Sequence, residues 1–203
     1  MDLQLIRQFL NNPIRGWETL KKQPLSVAQC YIRYGVPFAL IAPVAAFIGT
    51  TKVGWPVGSQ TILLTTDSAL QMSVISFFAI LFAILVMAKM IQWMGQTYQA
   101  TQSLGTCIAL ATFTAMPLFI VGIAMLYPPL WFIYLIGLPA LGYSVYLLYT
   151  GVPIMMEISP DRGFLFSSAI LAVGLVSLVG LLVVTVSMWG IGFGPGYGLT
   201  NGS

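Results

Sequence analysis

The chain has 203 residues, of which 58% are hydrophobic and only 6% charged, with a mean hydropathy of +0.92. Soluble domains carry roughly 25% charged residues, so this composition excludes one and describes an integral membrane protein made mostly of spans. A net charge of +3 does not point to nucleic acid, because five of the eight Lys and Arg (Arg7, Arg15, Lys21, Lys22 and Arg33) precede or open the first apolar stretch; that clustering fits the positive-inside bias and anionic lipid headgroups.

Residues 1–32 read as cytoplasmic amphipathic or interfacial helices. Leu3, Ile6, Phe9 and Leu10 share one face, and Asn11-Asn12-Pro13 ends that helix and opens the next, with Asn12 as N-cap and Pro13 in the first helical position. Ile14, Trp17 and Leu20 then form an apolar stripe beside Arg15, Lys21 and Lys22. The pattern predicts helices lying on the cytoplasmic leaflet. Asp2 stands where a signal peptide has its basic region, so the first span is expected to remain as an uncleaved anchor.

Residues 33–191 hold five apolar segments, each near the roughly 20 residues a bilayer needs: about 33–50, 70–92, 104–126, 130–150 and 164–190. Pro37, Pro43, Pro117 and Pro139 fall in or at the edge of spans, and Ile136 to Gly142 predicts a kink. Thr66-Asp67-Ser68 reads as the cap of the second span, and Lys89 as a cation snorkelling near its other end. Ser159-Pro160-Asp161 opens the fifth, where Gly174, Ser177 and Gly180 allow close helix approach. Residues 192–203 form a Gly-rich, uncharged tail, expected to be external and mobile.

Charge sets the orientation. With the N-terminus inside, the cytoplasmic segments hold Arg7, Arg15, Lys21, Lys22, Arg33, Lys89 and Arg162, and the outside holds Lys52. Five crossings then place the C-terminus outside. The two cysteines, Cys30 and Cys107, both fall toward the inner side, so no disulfide is expected. With no His in the chain, no zinc or haem site and no cofactor is expected.

One phrase occurs twice. Tyr31-Ile32-Arg33-Tyr34-Gly35-Val36-Pro37 opens the first span, and Tyr146-Leu147-Leu148-Tyr149-Thr150-Gly151-Val152-Pro153 closes the fourth. In each, two tyrosines three apart precede Gly-Val-Pro, which reads as a helix break near the bilayer surface. Breaks at membrane depth free backbone carbonyls that protein or water must satisfy. The two breaks are therefore expected to meet as one cytoplasmic-side cluster of Tyr31, Arg33, Tyr34, Gly35, Pro37, Tyr146, Tyr149, Gly151, Pro153 and Glu157, with Arg33 and Glu157 as a charge pair.

Residues 146–156 (Tyr-Leu-Leu-Tyr-Thr-Gly-Val-Pro-Ile-Met-Met), together with the Asn12-Pro13 to Trp17 entry and five spans, resemble the Yip family of Ypt/Rab-interacting membrane proteins. The family's Tyr-x-Gly-Val-Pro-x-x-Met signature is matched at Tyr149 to Met156. The resemblance implies an all-α membrane protein, a bundle of five transmembrane helices with a cytoplasmic amphipathic N-terminal segment. Its eukaryotic members imply vesicle traffic and Rab GTPase binding through a long cytosolic N-terminal region. About 33 residues precede the spans here, similar to a compact branch in the bacterial inner membrane.

No nucleophile–base pair, phosphate loop or metal spacing is present in the sequence, and no span carries a carboxylate or His at mid-depth to couple an ion. The expected function is non-enzymatic: a Yip-type protein that organises or shapes membrane, or serves as a membrane-embedded interaction partner. The alternative is a passive permease or lipid-translocating protein that uses its Pro-broken spans, with Thr112 and Thr114 ahead of Pro117. Membrane lipids are the expected partners, with a protein at the cytoplasmic face and a homo-oligomer as further expectations and no nucleic acid. The charge asymmetry predicts that a reporter active only outside the cytoplasm works when fused after Ser203 and is silent after Asp161; the reverse pattern would refute the orientation.

Overall fold

Two short helices at the N-terminus pack back to back. A computed structural model describes residues 3–23, 26–57, 60–190 and 197–200, and in it α1 (Leu3–Asn11) and α2 (Pro13–Lys21) form a hairpin. The side chain of Asn12 accepts from the Arg15 amide at 3.2 Å and Pro13 takes the first helical position, as the sequence pattern predicts. Much of the hairpin's apolar stripe faces protein. Leu5, Ile6, Phe9, Trp17 and Leu20 are buried in the protein core, while Arg7, Arg15, Glu18 and Lys22 stay exposed. The receiving surface is aromatic: Phe113 stacks on Phe9 at 4.7 Å and meets Tyr34 edge-on at 4.8 Å. Packed rings in edge and offset geometry gain more than area burial alone, and fluid acyl chains offer no such fixed partner.

The first span, Val27–Val53, is one long helix with π-helical turns at Tyr31–Gly35 and Gly49–Val53. Gly35-Val36-Pro37 is therefore not a break. The Val36 amide reaches back five residues to the Tyr31 carbonyl, and this wider turn accommodates Pro37, which has no donor and crowds the turn before it. The second span, Thr66–Gly95, is capped by Thr65, whose side chain accepts from the Ser68 amide; the cap sits one residue earlier than the Thr66-Asp67-Ser68 reading.

The third span is bent by 47° between Leu104–Thr114 and Met116–Leu126. Pro117 lies just past the bend and cannot donate to the preceding turn. The bent pair crosses the bundle rather than returning. At its start, Gln102 accepts from Gln92 near the end of the second span. At its finish, the Met125 carbonyl lies against Gly49 at the far end of the first, so close that a side chain on residue 49 would overlap it.

The fourth span, Leu130–Met156, is continuous through Pro139 and Pro153. This corrects the expected break at Gly151-Val152-Pro153. The chain turns four residues later at Glu157, in the left-handed conformation (φ 57°), where the Glu157 and Ile158 amides close on the Pro153 carbonyl. The fifth span, Pro160–Gly190, packs through its first half, where Phe166, Ser167 and Ile170 are buried. Gly174 faces Met87 of the second span, but Gly180 has nothing beside it, and from Leu175 to Val186 the large side chains described are all exposed.

At the end opposite the hairpin, β1 (Trp55–Val57) and β2 (Gln60–Leu64) pair antiparallel, with Trp55 opposite Ile62. A third strand, β3 (Tyr197–Thr200), adds to β2 with Leu64 opposite Tyr197, in the order β1-β2-β3. This corrects the expectation of a wholly mobile tail; the rest of 192–203 lies outside the described residues. The short strands satisfy loop backbone that helices do not. Because β3 follows the fifth span and pairs with β2, which follows the first, the strands after these two spans meet in one sheet.

Candidate functional site

The repeated phrase comes together only in part, and what joins its halves is α2. Trp17 is fully buried, and its indole packs against the fourth span at Gly151. A Cβ built on residue 151 would overlap the indole ring. The glycine is therefore there to be approached, not to end a helix. Two residues on, Pro153 presents its ring to Gly163 of the fifth span, leaving similarly little room. Gly151 and Pro153 thus receive α2 on one side and the fifth span on the other.

Tyr34 reaches the same core from the first span. It is 2% exposed, its ring edge meets Phe113, and its hydroxyl donates to the Gln23 side chain at 2.9 Å. Arg33 lies over the Tyr34 ring at 5.6 Å. The other tyrosines diverge. Tyr31 donates to the Leu81 carbonyl of the second span at 2.9 Å, from a turn that includes Gly35. Tyr149 shares a 2.8 Å hydrogen bond with Ser168 of the fifth. Tyr146 is 47% exposed. Pro37 follows the π turn and opens the regular part of the first span.

The expected Arg33–Glu157 pair is replaced by another. Glu157 pairs with Lys21 at 2.8 Å, both side chains being exposed. Seating α2 on the fourth span brings the end of α2 to the turn at Glu157. A hydrogen bond from Lys21, the nearby Lys21 charge and a hydrogen bond from Gln102 hold the Glu157 carboxyl below its ordinary value. Around the same end, Arg162 donates to Gln99, a residue itself in the left-handed region.

Sequence reasoning missed Tyr143, whose hydroxyl donates to the Phe9 carbonyl at 2.6 Å and so ties α1 to the fourth span. Its spacing held the signal, since Tyr143, Tyr146 and Tyr149 recur every three residues. Phe113 and Trp17 were read as span and stripe residues, not as partners. Among the described residues no group of three or more His, Cys, Asp or Glu is placed to hold a metal. Trp17 Nε1 and the hydroxyls of Thr112, Thr114 and Ser144 are buried without a hydrogen-bond partner among the described residues.

The Yip1 domain matches residues 7–181, from within α1 to the fifth span. The chain belongs to the Yip1 domain family. It is 36% identical over 186 residues to the inner membrane protein YohC of Escherichia coli strain K12, covering 91% of this chain and 95% of that protein, and equally to YohC of Escherichia coli O6:H1 strain CFT073. No solved structure matches the chain. In this Yip1 domain Gly151, Val152 and Met156 of the signature are buried, as is Met155 beside them. They form the seam on which the hairpin and the fifth span are assembled.

Two outcomes follow. Gly151→Ala drives a methyl into the Trp17 ring; unless the hairpin shifts, such overpacking costs about 1–3 kcal/mol. The expected result is a lower unfolding temperature in detergent and faster proteolysis within residues 3–21, and an unchanged cleavage pattern would refute the seat. Glu157 has a depressed value when folded, so its contribution is present above the unfolded carboxyl value and fades as pH falls through the folded one. The acid-side loss of thermal stability should be shallower in Glu157→Gln than in the parent and should weaken with salt.

Proposed function

We infer that this Yip1 domain protein is a non-enzymatic, multi-pass protein of the bacterial inner membrane, with its N-terminus cytoplasmic and its C-terminus periplasmic, that organises or shapes the bilayer around it. The name of YohC supports the location and the Lys/Arg asymmetry supports the sidedness. The observation that carries the reading is where the hairpin sits. Two helices, each about 10 Å across with side chains, are packed into one end of a five-span bundle. At the other end the fifth span stands clear of its neighbours. A body broader in the cytoplasmic leaflet than in the outer one expands the inner leaflet, and the membrane relaxes by bulging toward the cytoplasm. The exposed charges of the same end, with the Lys21–Glu157 and Arg162–Gln99 contacts, offer a platform for a protein partner.

One observation favours the second reading, a passive permease or lipid-translocating protein. The bend of the third span coincides with the hydroxyls of Thr112 and Thr114, which have no hydrogen-bond partner among the described residues, the kind of interruption that marks substrate sites in transporters. Against it, Phe113 and Met116 beside them on the third span are apolar and fully buried, as is Phe38, whose ring meets Phe113.

Reconstitution separates the two. Full-length protein added to liposomes at rising protein-to-lipid ratios should shrink or tubulate the vesicles seen by electron cryomicroscopy, without release of an entrapped small solute. Unchanged vesicle diameters would sink the shaping role, and solute release with unchanged shape would favour the permease.

A further inference from the structure

Lys89 is an exposed cation on a membrane span, and it forms no hydrogen bond or ion pair among the described residues. It lies six residues before the end of the second span at Gly95, about 9 Å at 1.5 Å per residue. The headgroup layer on each side of a bilayer is about 5–8 Å thick, from a total of 40–45 Å around a core near 30 Å. A snorkelling amine from this position reaches the level of the lipid phosphates.

The amine does not stand on a bare helix face. Lys89, Gln92, Trp93, Gln96, Thr101 and Gln102 line a cavity of about 340 Å³ between the end of the second span and the turn that leads into the third. Gln92 is fixed by donating to the Gln102 carbonyl at 3.2 Å. The Gln96 amide and the Thr101 hydroxyl form no side-chain hydrogen bond among the described residues, and both are exposed. Trp93 is 71% exposed at the rim, where an indole suits the membrane–water boundary. No carboxylate lines the cavity. Glu157 accepts a hydrogen bond from the Gln102 side chain but is itself paired with Lys21. A neighbouring hollow contrasts with this one: there Lys21 and Lys22 face Glu18 and Glu157, and the charges balance.

We propose that this cavity is a binding site for the phosphate of an anionic phospholipid, with Lys89 supplying the charge and Thr101 and Gln96 the neutral donors. Charge-assisted hydrogen bonds to phosphate are the strong ones, and the indole of Trp93 packs beside the glycerol region. The site is independent of the shaping role: a wedge needs no particular lipid, and a lipid site bends nothing by itself.

Native mass spectrometry of the full-length protein in neutral detergent tests it, with phosphatidylglycerol and phosphatidylcholine as probes and sn-glycerol 3-phosphate as soluble competitor. Lys89→Gln should retain phosphatidylglycerol about tenfold less well than the parent, a loss of about 1.4 kcal/mol. Lys89→Arg should stay within about twofold, and Lys52→Gln, at the opposite end, should match the parent. Because Lys89 is exposed, its replacement should leave folding intact; should it not, Thr101→Val carries the same expectation at about threefold. Equal retention by Lys89→Gln and the parent, or equal retention of both lipids, overturns the proposal. Displacement of the lipid by equimolar glycerol phosphate also overturns it, by assigning the cavity to a soluble phosphate.

Discussion

The ring of Phe113 joins α1, α2 and the first span to the third. It stacks on Phe9 of α1, lies 6.5 Å from Trp17 of α2, and meets Tyr34 and Phe38 of the first span edge-on. Within a bilayer, helices gain little from hydrophobic burial as such, since lipid is equally apolar; shape and close contact decide what associates. A rigid ring that offers faces and edges to four neighbours supplies that contact. Remove it, and the hairpin loses its floor while the first and third spans lose their common wedge.

A second constraint acts on the backbone. At membrane depth every amide and carbonyl needs a partner inside the chain, yet this sequence places proline in several spans. Each site meets the problem differently. Pro37 is absorbed by a π turn, Pro117 by a 47° bend, and Pro153 by a helix that continues to Met156 and reuses the proline carbonyl to close its end. Gly-Val-Pro is thus the same sequence with two local outcomes, neither of them a break. Tertiary contacts choose between them: the Tyr31 hydroxyl on Leu81 stabilises the wide turn, and Trp17 on Gly151 holds the straight one.

Elements governed by local rules were legible in the sequence. Span number follows from hydropathy, the α1–α2 junction from Asn12 and Pro13, and the family from Tyr149 to Met156. Elements governed by contacts between distant residues were not. An amphipathic stripe bearing Phe9 and Trp17 is equally suited to lipid or to a protein groove, and nothing local says that Phe113 awaits it. Glu157 has several basic residues it could pair with, and only the docking of α2 selects Lys21 over Arg33. Gly151 looked like a terminator because glycine commonly is one; its other use, as a place where a neighbour comes close, appears only with the neighbour. β3 escaped notice because a Gly-rich tail has weak strand preference, and its pairing depends on a partner more than a hundred residues away.

That pairing also bears on how the molecule is made. β2 emerges after the first span, but β3 exists only once the fifth has been threaded, and threaded in the right direction. Joining them closes a loop of about two-thirds of the chain, a late and entropically demanding step. The small sheet can therefore close only after the fifth span is in place. A nascent chain with one span skipped or inverted delivers Tyr197–Thr200 to the wrong side of the bilayer, leaves β2 with a raw edge, and so presents misinsertion as a visible defect at the surface.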